Sequence, residues 1–205
     1  MLIAVTRDRD TDSAPDPKAL RALAHPLRWQ LIDLLGSEMA ATATRCAEVL
    51  GESVASCSYH LGILAKYGYI ELVPDQPGKE KPWRMASHKQ NLDPADLDTE
   101  GAMAAEAAAE AFLDHEFARM KQRLRRYDLE PEPWRKASLA IGATTWMTAE
   151  ELREISDQLK RLLVTHGERA VDPASRPPGA REVRLFAVTS VAPPVTPPKD
   201  TAPEA

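Results

Sequence analysis

The stretch from Thr44 to Ile70, TRCAEVLGESVASCSYHLGILAKYGYI, constrains this chain more than any other. Gly51 divides it, and on either side the apolar residues fall at helical spacing. Val54, Cys57, Leu61 and Leu64 recur along one face, and Cys46, Val49 and Leu50 give the preceding segment an apolar edge to lay against them. The pattern predicts two helices joined by a tight turn, with Ser53 as N-cap of the second. The face left over is Ala55, Ser56, Tyr59, Ile63 and Lys66. Small and hydroxylic side chains there let a helix approach another surface closely, and such a helix suits the DNA major groove.

The flanking sequence extends the pattern. Upstream, Leu20, Leu23, Leu27, Leu31, Leu34 and Leu35 hold helical spacing, interrupted by Pro26. Proline fits only a first turn or a kink, so a short helix, a break near His25 and a new helix are expected, the last closed by Gly36. Met39 to Thr44 is a small-residue linker with room for a short strand. Downstream, Ile70 to Val73 reads as a strand, Pro74 to Lys79 as a turn and Lys81 to Met85 as a returning strand, which Pro82 confines to an edge or bulge. Lys79, Lys81 and Arg84 put cations on the tip and flank of this hairpin, where they would touch phosphates and set orientation.

Helix, turn, helix with Ser58-Tyr59-His60-Leu61, then Gly68-Tyr69-Ile70 entering a strand, resembles the winged helix-turn-helix of the ArsR/SmtB family of bacterial transcriptional regulators. Leu61, Leu64 and Gly68 match that family's phrase, whereas Tyr59 stands in place of its arginine. Leu20 to Arg28 is similar to its first helix, and the resemblance covers roughly Lys18 to Met85. It implies a homodimeric repressor that reads a two-fold operator in double-stranded DNA through the helix 53–67 and the wing 70–85. The helix after the wing would make the dimer and place two recognition helices about one DNA turn apart.

The candidate DNA contacts are Arg45, Ser53, Ala55, Ser56, Ser58, Tyr59, His60, Lys79, Lys81 and Arg84. Ser56 and Tyr59 can hydrogen-bond to base edges or phosphate, and Ala55 can touch a thymine methyl. Arg45 is either a phosphate contact or a solvated side chain. Ser58 enters by family position, and its spacing from Val54 could equally turn it inward. His60 either touches DNA or packs locally.

The metal sensing of the resembled family is not expected here. Cys46 lacks a second cysteine two residues away, and Cys57 falls on the apolar stripe, so both read as core. His115 has no His or carboxylate at i+3 or i+4, the i+4 place being Arg119. A redox switch between the two cysteines would need a lowered thiol pKa, for which only Arg45 is near in sequence. No cofactor is expected, and no glycine-rich phosphate loop or nucleophile turn suggests an enzyme.

Charge is distributed in keeping with this reading. The chain has a net charge of −5, yet Lys18 to Gln90 holds nine Lys/Arg against seven Asp/Glu, which suits a small DNA-reading face on an acidic body. Two cysteines make no disulfide framework, so a reduced, cytoplasmic setting is the expectation. The N-terminus has too short an apolar run for a signal peptide, and no stretch reaches the length of a membrane span.

The sequence divides into an arm over 1–13, the winged helix-turn-helix over 14–87, a linker over 88–102, a dimerisation helix over 103–127, an accessory α/β region over 128–191 and a tail over 192–205. The dimerisation helix carries Ala105, Ala109, Phe112, Leu113, Phe117, Met120 and Leu124 as a narrow apolar stripe and ends in Arg123, Arg125 and Arg126. Beyond Pro131 and Pro133, Leu139 to Trp146 and Glu182 to Val191 read as strands. Between them Thr148 to Glu151 is a capping box that opens a helix. Trp134, Trp146 and Phe186 could line a pocket for a small apolar effector or simply form core. The expected fold is mainly α with a small β wing, followed by a long helix and a strand-helix-strand layer. The competing function is a winged helix that docks another protein, and a metal-, redox- or small-ligand-responsive sensor is the third.

Overall fold

The computed structural model describes residues 2–4, 16–74, 80–86, 89–91 and 97–192. Most of the expected arm, the turn tip 75–79 with Lys79, and the tail beyond 192 lie outside the described residues. Helix α1 (Pro17–Leu23) starts where the Asp16 carboxylate accepts the Lys18 N–H at 2.9 Å. Helix α2 (Pro26–Glu38) has Pro26 at its first position, and His25 caps it by accepting the Leu27 N–H at 3.2 Å. The break near His25 is therefore as the sequence implies. Gly36 does not close α2, which runs on to Glu38 and ends at Met39 with φ 66°. Tertiary partners hold that last turn: the Ser37 hydroxyl donates to Glu182 at 2.7 Å, and Glu38 accepts from Arg45.

Helices α3 (Ala43–Leu50) and α4 (Val54–Lys66) are joined through Gly51, whose φ of 71° lies in the left-handed region that only glycine enters freely. Strands β2 (Ile70–Leu72) and β3 (Trp83–Met85) pair antiparallel, with Ile70 opposite Met85, and Ala41 adds one bridge to Trp83. A second ladder joins β1 (Leu2–Ala4), in the expected arm, to β4 (Lys89–Asn91), in the expected linker, in parallel. Helix α5 (Thr99–Arg125) begins at Thr99 rather than Met103, because the Asp98 carboxylate accepts the Gly101 N–H at 2.7 Å and caps it. Helix α1 lies along α5, and Gly101 permits this: a Cβ there would sit 3.2 Å from Pro17 Cγ.

One core runs through these elements. Leu20, Leu23, Trp29, Leu31, Ile32, Leu35, Leu61, Leu64 and Ile70 are fully buried, and the first half of α5 meets them with Ala104, Ala105, Ala108 and Phe112. Each buried Leu or Ile side chain contributes about 1.5–3 kcal/mol relative to exposure. The Tyr69 hydroxyl donates to the Ala19 carbonyl at 2.8 Å, which ties the end of the helix pair to α1. Burial pushes the Tyr69 pKa well above its usual value.

The C-terminal part departs from expectation. Helices α6 (Glu132–Ala137), α7 (Ala149–Leu163) and α8 (Glu168–Val171) form, and α7 opens with the reciprocal Thr148–Glu151 capping box. The strands expected over 139–146 and 182–191 do not form ladders within the described residues. Strand formers need a partner edge, and here none is supplied. Leu139, Ile141 and Trp146 face water, whereas 182–186 turn alternate side chains onto helices. Arg184 forms a two-pronged ion pair with the buried Glu116, and Phe186 lies edge-on to Phe112 and Phe117 at 6.1 Å each. Glu182 accepts from Ser37, with Arg119 at 3.6 Å.

Candidate nucleic-acid interface

Helix α4 is positioned from behind by apolar packing and from its start by a cap. Cys57, His60, Leu61 and Leu64 are its buried residues, while the Ser53 hydroxyl accepts the Ser56 N–H at 3.1 Å. Ala55, Ser58, Tyr59, Gly62 and Lys66 are left outward along one line, and Tyr59 is 65% exposed. Ser53 is exposed as well, and Ser56 is half-buried with its N–H in the cap. Ser58, whose direction sequence left open, faces out.

Two residues exchange places relative to expectation. Val54, assigned to the apolar stripe, is 44% exposed beside the Gly51 turn. His60, a candidate DNA contact, is turned inward and only 8% exposed, which removes it from the outer face. Its ring lies against His25 with centroids 4.3 Å apart and planes tilted by 39°, it meets Tyr59 edge-on, and its Nδ1 accepts from Arg28 Nε at 3.2 Å. Burial first, and then the electrostatic influence of His25 and Arg28, lower its pKa, with Glu52 opposing. Arg28 also donates to the Ala22 carbonyl, so it bridges the end of α1 to the underside of α4. No local pattern in the sequence marks this His25–Arg28–His60 support.

The cations around α4 are largely engaged. Arg45 donates to Glu38 from both Nε and Nη2 and has Glu48 at 3.8 Å, and the pairing raises the arginine pKa while lowering that of Glu38. On the wing, Arg84 pairs with Glu71 at 2.6 Å. Thr44 donates to Glu80, which links α3 to the base of the wing. Lys81 is exposed at the wing, and Lys66 at the end of α4 lies over the Tyr67 ring at 5.3 Å. The sequence placed Lys66 on the outer face without naming it as a contact.

Both cysteines are fully buried, and desolvation pushes the Cys46 thiol up to about 11. Neither thiol is therefore activated for redox chemistry. Among the described residues no three His, Cys, Asp or Glu side chains come together as a metal site. His115 is instead hydrogen-bonded to Asp33 at 2.5 Å, and Arg119 pairs with the same carboxylate. Burial works to raise the Asp33 pKa, but His115 and Arg119 outweigh it and hold it below the usual range. The three aromatics proposed for an effector pocket are not brought together: Trp146 is 98% exposed, Trp134 lies under Arg181, and Phe186 sits on α5. No described helix is long and apolar enough to cross a membrane.

No protein-family model matches the chain, and no curated protein does. Among solved structures, reduced HlyU from Vibrio cholerae N16961 is similar at 18% identity and TM-score 0.32, over 49% of this chain and 84% of that one. The heme sensor protein PefR, in complex with heme and carbon monoxide, is similar at 16% identity and TM-score 0.28, over 76% of this chain and 83% of that one. Both likenesses are too partial to carry a function across.

Proposed function

We propose that the chain is a sequence-specific DNA-binding transcriptional regulator that works as a homodimer without a catalytic site. The observation that carries this reading is α4 itself: a capped helix anchored by Cys57, His60, Leu61 and Leu64, with Ala55, Ser58 and Tyr59 outward and a β hairpin following. That geometry lets small side chains enter a major groove while Tyr59 reaches a base edge or phosphate. Repression rather than activation follows from the resemblance to ArsR/SmtB regulators.

The homodimer reading is supported by α5. Leu113 is half-buried, and Phe117, Met120 and Leu124 are 43%, 36% and 62% exposed, at heptad spacing beyond the part of α5 that packs on the core. Two copies laid antiparallel about a point between Phe117 and Met120 would seat Leu113 on Leu124. They would also set Asp114 beside Lys121 of the second copy, an opposite-charge match on the flank of the seam.

Protein docking is the second reading, favoured by the engagement of Arg45 and Arg84 with carboxylates, which leaves α4 in a weakly basic setting. The deciding experiment is binding of the full chain to DNA from upstream of its own gene and to a scrambled duplex, at low and at physiological salt. A preference that survives the higher salt supports the regulator. Equal binding that disappears with salt reduces DNA affinity to charge and puts protein docking first.

A further inference from the structure

Two stretches near the C-terminus, 139–147 and 181–191, lie outside any helix or strand. Among the described residues neither stretch gives or receives a backbone hydrogen bond. Both are rich in strand-forming and apolar side chains, and those side chains meet water. Leu139, Ile141 and Trp146 are 80%, 82% and 98% exposed, and Val183, Leu185 and Val188 are each more than half exposed. Unpaired edges with exposed apolar side chains are templates for another strand.

The second stretch is held in a way that presents such a template. Glu182, Arg184 and Phe186 point one way, onto Ser37, Glu116 and the Phe112–Phe117 pair. Val183 and Leu185, between them, point the other way into solvent. The strap is thus fixed on one face and open at its edges. Phe186 touches Phe117, and Phe117 belongs to the α5 seam whose Asp114–Lys121 match fits an antiparallel second copy. That copy would lie directly beside the strap.

We infer that residues 139–147 of each copy form a β ladder with residues 182–191 of the other, so that the dimer carries two identical intersubunit ladders related by its two-fold axis. The inference rests on the homodimer reading above and goes beyond it, since α5 alone could hold the dimer. It gives both backbones their partners and lets the second copy cover Trp146, whose ring is the most exposed large apolar side chain described. The expected strands are then real strands of the assembly, made between chains instead of within one.

The test uses the full chain in two differently tagged forms, one carrying Thr144→Cys and the other Ala187→Cys, mixed so that subunits exchange and then joined with a short bismaleimide. The native thiols at Cys46 and Cys57 are buried and stay out of the reaction. Held within one assembly, the two engineered thiols should give mixed-tag product in at least about tenfold excess over a control pair in which Glu168→Cys replaces Ala187→Cys. A link that forms instead within a single chain bearing both substitutions overturns the inference. So does the lack of a mixed-tag excess in a sample that sediments as a dimer, and in that case the α5 dimer stands. A chain that sediments as a monomer overturns both.

Discussion

His60 makes the support of α4 sensitive to acid. Its ring is held between His25 and Arg28, so a proton on it would set a positive charge beside the Arg28 guanidinium in a partly desolvated cluster. The folded-state pKa is lowered, which means that folding favours the neutral ring. That contribution is complete above the unfolded value of about 6.5 and erodes as pH falls below it toward the folded pKa. Thermal unfolding followed from pH 7.5 to pH 5 should therefore show a falling Tm. In His60→Gln, where the amide can still accept from Arg28 but cannot charge, the fall should be shallower, with a loss at neutral pH of about 1 kcal/mol. Identical pH slopes in the two proteins would place the acid sensitivity elsewhere. Tyr59, on the outer side of the same helix, behaves in the opposite sense. Tyr59→Ala should leave Tm nearly unchanged and weaken operator binding by roughly tenfold, about 1.4 kcal/mol, in a fluorescence anisotropy titration.

Among the elements, the join between α5 and the strap is the most demanding electrostatically. Glu116 is 1% exposed, and a buried carboxylate is tolerated only because Arg184 supplies two hydrogen bonds and a charge. Arg184→Met leaves that carboxylate unpaired and should cost about 3–5 kcal/mol in urea unfolding, whereas the double change Glu116→Leu with Arg184→Met should recover most of the loss. Additive losses in the double variant would show that the two side chains do not act as a pair. Nothing in the sequence announces this join, because the partners are 68 residues apart and each looks like an ordinary surface charge. The same holds for Asp33 and His115, 82 residues apart. The helix pair and the wing were legible because their determinants are local: a cap at Ser53, a left-handed glycine at Gly51, and spacing within α4. Ala55 and Tyr59 can be placed outward from that spacing, whereas it leaves Ser58 open, and His60 cannot be placed inward without knowing that His25 waits beneath it. Gly36 misled because Ser37 and Glu38 are held by distant partners. The period-two pattern of 182–186 was a true extended segment, although it docks on helices within its own chain.

At the scale of the whole molecule, the proposed function requires two surfaces to work together, the outer face of α4 and the proposed seam of α5. Phe117→Glu would bury a charge in the proposed seam, so sedimentation should show monomer at concentrations where the parent chain is dimeric, and operator binding should fall with it. The electrostatics around α4 make a further distinction. Arg45 and Arg84 are each held by a carboxylate, Glu38 and Glu71, so on the DNA-binding reading the chain would meet its site with two of its best placed cations already paired. If these residues approach phosphates, the carboxylates compete with the DNA, and removing them should help binding. Glu38→Gln and Glu71→Gln should each tighten binding and steepen the dependence of log K on log salt by up to about 0.9 per subunit, roughly 2 per dimer. Lys81→Ala should make it shallower by a similar amount, since Lys81 is exposed and pairs with no carboxylate among the described residues. Protein docking carries no such requirement, because freeing an arginine on a surface that never meets phosphate changes no counterion release. Unchanged salt slopes in both glutamate variants, with folding intact, would therefore move the function of α4 from DNA to a protein partner.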